Sequence, residues 1–148
     1  MPHTTGLSTW LLLALIILVW PVFFGGLWTV ILMSMSFIGG WRRLARHYRT
    51  VRPPKGRRVI RGATGMVGFT SYNRVLTVTI ADDGIFIAPL WMFRIGHPTL
   101  FIPWRDIRNA RRTRSFYRDY VGFNVGDPKV AGMRLPSDVF DGTPVFID

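Results

Sequence analysis

The sequence predicts an α+β membrane protein, in which one N-terminal transmembrane helix precedes a small antiparallel β-barrel or sandwich. The first observation is an uncharged apolar run over residues 8–38. The second is a series of short alternating segments, separated by turn residues, that begins after Pro54. The third is the charge distribution: residues 42–61 hold nine Lys or Arg and no acidic residue, whereas the chain beyond is nearly balanced. A length of 148 residues suits one modest domain after the helix.

The apolar run predicts a transmembrane helix over residues 8–40, after a short non-cytoplasmic N-terminus at residues 1–7. At ~1.5 Å per residue the run would extend ~46 Å, against a hydrocarbon core of ~30 Å. It must therefore tilt, kink at Pro21, or turn back as a hairpin near Gly25, and we favour the single span. A cleaved signal peptide fits poorly, because no Lys or Arg precedes a run longer than the usual ~7–15 apolar residues.

Residues 41–58 predict a basic amphipathic juxtamembrane segment. Trp41, Leu44, Ala45 and Tyr48 fall on one helical stripe, and basic residues cover the remainder. Such a helix suits the lipid head-group layer, where anionic lipids attract basic side chains. The positive-inside rule then places the N-terminus outside and the C-terminal domain in the cytoplasm. The predicted lipid-contact residues are Trp41, Arg42, Arg43, Arg46, Arg49, Arg52, Lys55, Arg57 and Arg58.

Residues 59–148 predict the β-domain. The segment "RVLTVTI" alternates, the turn "ADDG" follows, and "IFIAPLWMF" resumes as the second strand of a hairpin. The segment "TLFIPW" predicts a short edge strand, because Pro103 lacks a backbone N–H. Residues 105–125 predict a basic connection and one further strand. The C-terminal part predicts one short strand and at most a helical turn beginning at Ser137.

No catalytic residue, metal ligand set or cofactor site is predicted. His97 lies in "FRIGHPTLFIPWRDI", where Gly96 and Pro98 indicate a structural turn rather than a general base. The glycines at 62, 65 and 68 match neither phosphate-binding nor dinucleotide-binding loops, and favour a bulged strand. Three His residues without Cys or Glu give no recognisable metal-ligand spacing.

Three segments, "GWRRLARHYR", "GIFIAPLWMFRIGHPTLFIPWRDI" and "LPSDVF", resemble small, uncharacterised bacterial proteins with one membrane segment. In that group the soluble part is a pleckstrin-homology or GRAM-like β-domain. The resemblance covers roughly residues 40–140. It implies a bacterial cytoplasmic (inner) membrane location and a PH-like fold, and it brings no active site. A PH-like domain normally ends in a capping helix of about three turns, which residues 136–148 hardly supply.

These observations favour a non-enzymatic adaptor that presents the β-domain at the cytoplasmic membrane face. Its partners would be anionic lipid head groups and another membrane protein or a second copy, not nucleic acid. One alternative is an anionic-lipid sensor that acts through the basic segment, and another is a membrane-bound enzyme. An exposed edge strand can accept a partner strand. The predicted partner surface is Phe101, Trp104, Arg105, Arg108, Arg111 and Arg112.

Overall fold

The computed structural model describes residues 5–115 and 117–148. Those residues form a long helix, a short helix and one antiparallel sheet of seven strands. Three 3-10 turns, Trp91–Phe93, Trp104–Asp106 and Ser137–Phe140, join or follow the strands. The helices and strands are α1 (Thr5–Ile38), α2 (Trp41–Tyr48), β1 (Arg58–Val67), β2 (Thr70–Ile80), β3 (Gly84–Pro89), β4 (Leu100–Pro103), β5 (Ile107–Arg114), β6 (Asp119–Val125) and β7 (Ala131–Pro136).

The helix α1 is continuous across Pro21 and the glycine pair that follows. A hairpin within the apolar run is therefore not formed. The part of α1 from Ser8 to Ile38 is long and apolar enough to cross a membrane. Residues 8–27 are exposed on every side, whereas one stripe beyond Leu27 packs on the β-domain. That stripe contains Leu32 and Ser36, which are 1% and 3% exposed.

The short helix α2 packs on the sheet through the apolar stripe that the sequence predicted. Trp41 and Leu44 are fully buried and belong to the core of the β-domain, and Ala45 and Tyr48 pack against that core. Only residues 39 and 40 separate α2 from α1. The predicted amphipathic pattern of α2 is confirmed. Its apolar face, however, packs on the interior of the sheet and not on lipid.

The sheet runs in the order β4-β3-β2-β1-β7-β6-β5, with every neighbouring pair antiparallel. It is curled into a half-barrel, which confirms the α+β layout and the antiparallel β-domain. The predicted β2–β3 hairpin is formed with Ile80 opposite Ile85. Leu76, Val78 and Ile80 all point into the core, as their alternation predicted.

Two sequence predictions within the sheet need correction. The second strand of the hairpin ends at Pro89, and residues Trp91–Phe93 form a 3-10 turn instead of continuing it. The basic segment expected to be a connection is strand β5, which pairs with β6. The predicted bulged first strand is confirmed, because the β1–β2 register shifts around Ala63 and Gly62 has a φ of +68°.

Short segments from elsewhere in the chain pair with part of each sheet edge. At β4, Arg49 bridges Leu100 and the Thr50 N–H donates to the Thr99 carbonyl at 3.0 Å. At β5, the backbone of Asp148 bonds to residues 110 and 112, each at 3.0 Å. The C-terminal helical turn is present at Ser137–Phe140, and the described residues after it contain no α-helix. Val139 and Phe140 from that turn are buried in the core.

Candidate functional site

A buried aromatic cluster joins α2 to the β-domain. The Trp41 ring lies 5.4 Å from Tyr72 and 5.2 Å from His97, measured between ring centroids. The Trp41 indole N–H donates to the carbonyl of Pro98 at 3.0 Å. The cluster thus ties α2, β2 and the loop before β4 together.

His97 is satisfied by two hydrogen bonds inside this cluster. Its Nδ1 lies 3.1 Å from the Ile95 carbonyl, which can only accept, so Nδ1 carries the proton. Its Nε2 then accepts from the Tyr72 hydroxyl at 2.9 Å. The ring is only 1% exposed, so His97 serves the structure of the loop. This agrees with the turn predicted from Gly96 and Pro98.

If His97 were only a turn residue, His97→Ala would leave folding largely intact. Burial of the ring and its two bonds argues against this. Removing the imidazole would leave the Tyr72 hydroxyl without its acceptor inside the core, and an unpaired buried group costs ~1–3 kcal/mol. We therefore expect His97→Ala to destabilise the folded protein.

Burial lowers the pKa of His97 below its usual value of 6.5, and the bond to the Ile95 carbonyl only partly offsets this. As the pH falls through 6.5, the unfolded chain takes up a proton before the folded chain does. The stability contribution of neutral His97 is therefore complete above that pH and is lost below it. We expect the melting temperature of the detergent-solubilised protein to fall between pH 7 and 5.

His97→Gln provides the control for this pH dependence, since glutamine does not titrate. The variant should melt at a lower temperature at pH 7, and its decline toward pH 5 should be shallower. An equal decline in both proteins would assign the pH dependence to other groups.

The predicted lipid-contact residues separate into two groups. Arg42, Arg43, Arg46 and Arg49 lie exposed on or just after α2, beside the end of α1. Arg42 also lies over the Phe37 ring at 5.3 Å. Trp41 does not belong with them, because it is fully buried and cannot contact lipid.

The second group begins at Arg52, three residues after Arg49, and includes Lys55, Arg57 and Arg58. Its last member lies at the start of β1, at the end of that strand away from Gly68. Arg52 pairs with Asp83 at 3.3 Å and Arg57 pairs with Asp82. The far end of β1 meets α1 through the turn at Gly68. Ten strand residues at ~3.3 Å each separate these ends by roughly 30 Å along the strand. The basic segment is therefore not one continuous lipid-facing collar.

The predicted partner surface is only partly free. β4 is an edge strand as predicted, but Arg52 covers the Phe101 ring at 5.6 Å, and the Phe101 ring packs on Phe86 at 4.7 Å. The Trp104 indole donates to the carbonyls of Ala81 and Asp82, so it fixes the β2–β3 turn. Both aromatic side chains thus have internal roles that the sequence did not indicate.

The arginines of that surface are accessible. Arg105 precedes β5, and Arg108, Arg111 and Arg112 project from β5; all four are exposed. The nearest described carboxylate to Arg105 is its neighbour Asp106 at 3.9 Å, a weak pair at the surface. Phe116, which the sequence placed among these arginines, lies outside the described residues.

A cavity of about 380 Å³ opens beside Trp104 at the end of the sheet that carries Arg57 and Arg58. Asp82 and residues 141–144 complete its wall. The C-terminal residues of this wall were not predicted, because nothing in "DGTPVFID" indicates where the tail folds back. Arg58 donates to the carbonyl of Asp138 there, so part of the wall is internally bonded.

Among residues 5–115 and 117–148, no group of three or more His, Cys, Asp or Glu side chains lies close enough to hold a metal ion. No protein-family model, no curated protein and no solved structure matches this chain.

Proposed function

We propose that this chain is a membrane-anchored, non-enzymatic adaptor that holds a PH-like β-domain at the cytoplasmic face of the bacterial inner membrane. The continuous apolar helix supports the anchor. The basic residues that follow α1 support a cytoplasmic position for the domain. The curled sheet of seven antiparallel strands supports the fold assignment.

The observation that carries the proposal is that the C-terminal part of α1 packs directly on the β-domain. Leu32 is buried against the β-domain, and the Ser36 hydroxyl donates to the Gly96 carbonyl at 2.5 Å. The Trp28 ring lies 5.6 Å from Phe93. A domain packed on its own anchor keeps one height and one direction relative to the bilayer. Such a fixed platform suits an adaptor that presents a surface to a membrane partner.

The surface proposed for the partner is the exposed arginine group Arg105, Arg108, Arg111 and Arg112. Arg108 and Arg111 lie on the outer face of the sheet, whereas Arg112, opposite buried Val121, leaves the other face at the edge. Positive charge on an exposed strand complements an acidic protein surface. This complementarity speeds the association of the two proteins and fixes their relative alignment. A partner fixed in the same membrane, or a second copy of the chain, would meet this face in a constant orientation. Eight Asp residues per chain give a second copy some acidic surface of its own.

Reversing the charge of Arg108 and Arg111 to glutamate should abolish recovery of the partner. The test is brief cross-linking of the tagged full-length protein in native membranes, followed by purification in mild detergent. Like charges placed together at an interface cost several kcal/mol, so we expect at least a ~10-fold loss of the co-purified protein.

The matched control is Arg61→Glu with Arg74→Glu, the same charge change at exposed positions of β1 and β2. This control should retain the partner. Retention by the Arg108/Arg111 variant would remove the proposed surface. Recovery of the wild-type chain alone would count against the adaptor function itself.

Anionic-lipid sensing is the second candidate, and it is favoured by the exposed basic face of α2. Arg42, Arg43 and Arg46 directly follow the anchor, where each basic residue close to an anionic leaflet contributes ~1 kcal/mol. A soluble fragment that begins after Trp41 would lack a core residue. The test therefore uses full-length protein in nanodiscs, with retained anionic lipid measured as salt is raised. Salt-insensitive lipid retention would argue against sensing by charge.

A further inference from the structure

The loop between β3 and β4 runs back along α1 toward the middle of the apolar run. At its later end, the carbonyl of Gly96 accepts the Ser36 hydroxyl at 2.5 Å. Closer to its start, Phe93 contacts Trp28 with 5.6 Å between ring centroids. Ser36 and Trp28 are separated by two turns of α1, or ~12 Å along the helix axis. The loop therefore covers a stretch of the candidate span itself.

Residues 90–95 of this loop, here called the apolar loop, expose large apolar side chains beside the helix. Trp91 is 77% exposed, and Leu90, Met92 and Ile95 are between 40% and 48% exposed. The neighbouring free face of α1 is apolar as well. Its exposed residues nearest to Trp28 are Val30, Ile31 and Met33. Loop and helix thus form one apolar surface, of a size that soluble proteins seldom leave in water.

The dimensions of α1 place this surface at the membrane boundary. Trp10 and Trp28 are eighteen residues apart, or ~27 Å along the helix, which is close to the ~30 Å of a hydrocarbon core. Tryptophan favours the two interfaces of a bilayer. Trp28 then lies at the cytoplasmic interface, and Phe93 lies beside it at the same depth.

We propose that the apolar loop is a second membrane-penetrating element, with Trp91 and Met92 inserted at the acyl boundary of the cytoplasmic leaflet. The inference rests on the proposed insertion of α1. Lipid is favoured as the occupant because the surface is continuous with the span and carries basic residues at its margin. Arg94, near the end of the loop, is exposed, and long basic side chains at an interface can place their charge among the head groups. The domain is thereby held to the leaflet at two points.

The absence of cysteine allows single labelled positions in the full-length chain. Trp91→Cys and Met92→Cys would each carry an environment-sensitive fluorophore after reconstitution into vesicles of mixed zwitterionic and anionic phospholipid. We expect blue-shifted emission at both positions, and loss of intensity when some lipids carry a nitroxide near the head of the acyl chain. Val51→Cys, at a 94% exposed position before β1, is the water-exposed control and should show neither effect.

A label at Val19→Cys separates failure of the loop proposal from failure of the anchor. Because residue 19 lies midway between Trp10 and Trp28, this position is tested with lipids that carry the nitroxide near the end of the acyl chain. Quenching at 19 without quenching at 91 and 92 would overturn the loop proposal while leaving the anchor in place. No quenching at 19 would overturn both. Blue-shifted emission at 91 that is insensitive to nitroxide lipids, together with cross-links between copies, would assign the surface to a protein partner and also overturn the loop proposal.

Discussion

Replacing Trp41 with alanine is expected to destabilise the β-domain by ~3–5 kcal/mol, the usual cost of truncating a buried tryptophan. The ring is fully buried, contacts Tyr72 and His97, and donates to the Pro98 carbonyl. Its loss would open a cavity where α2, the loop before β4 and the sheet meet. Urea unfolding of the solubilised protein, followed through the β-sheet signal in far-UV circular dichroism, measures the effect.

Trp91→Ala is the matched control, since the same residue type lies 77% exposed there. Its effect on unfolding should stay within ~0.5 kcal/mol. Trp41→Phe should fall between the two, because it keeps most of the packing and loses the hydrogen bond, which is worth ~0.5–1.5 kcal/mol. Equal midpoints for Trp41→Ala and Trp91→Ala would show that Trp41 faces lipid or water.

Replacing Gly68 with alanine should destabilise the junction between α1 and the β-domain. Gly68 has a φ of +59°, and a Cβ there would overlap the backbone carbonyl of Gly39. Backbone on both sides of this contact leaves little room to adjust. We expect ~1–2 kcal/mol from the left-handed conformation and a further ~1–3 kcal/mol from overpacking. Thermal unfolding in detergent measures the total.

Gly142→Ala isolates the conformational part of that cost. Gly142 also has a left-handed φ, of +72°, but nothing lies within 4 Å of an added Cβ. Its loss of stability should therefore be the smaller of the two by the overpacking contribution. Similar losses for both variants would mean that the contact between the β1–β2 turn and the end of α1 is not tight.

Periodicity in the sequence identified apolar faces correctly, but it did not identify what covers them. The stripe through Trp41 and Leu44 suits a head-group layer and a sheet interior equally well, because both remove apolar surface from water. Only the tertiary structure shows that the sheet covers it. The same limit applies to Trp28, since nothing in the sequence indicates that Phe93 lies beside it.

Strand β5 was missed because its sequence carries no hydrophobic alternation. Only Ile107 and Ala110 of its eight residues are buried, and its register with β6 is interrupted between Arg108 and Arg111. Edge strands commonly use charged side chains, which discourage unwanted pairing. The pattern that identifies a half-buried strand is therefore weakest at this edge.

For the candidate sites too, the sequence predicted features that depend on neighbouring residues, but not contacts between residues far apart in the chain. The turn at His97 was predictable from its glycine and proline neighbours, whereas its bond to Tyr72 joins residues far apart in the chain. The basic segment was predicted as one surface because its residues are consecutive. Asp82 and Asp83, which lie at a distant turn, pair with Arg57 and Arg52 of that segment.

The C-terminal end of α1 belongs to the β-domain, through the contact of Trp28 with Phe93 and the bond from Ser36 to Gly96. A cross-link in native membranes between Trp28→Cys and Phe93→Cys, made with a short bis-thiol reagent, tests this packing. We expect an efficient internal link, seen as a mobility shift of the monomer. The control pair, Trp10→Cys with Phe93→Cys, uses the same helix face five turns away, and should give no link. Absence of the link at 28, or equal linking at 10 and 28, would show that α1 does not pack on the β-domain.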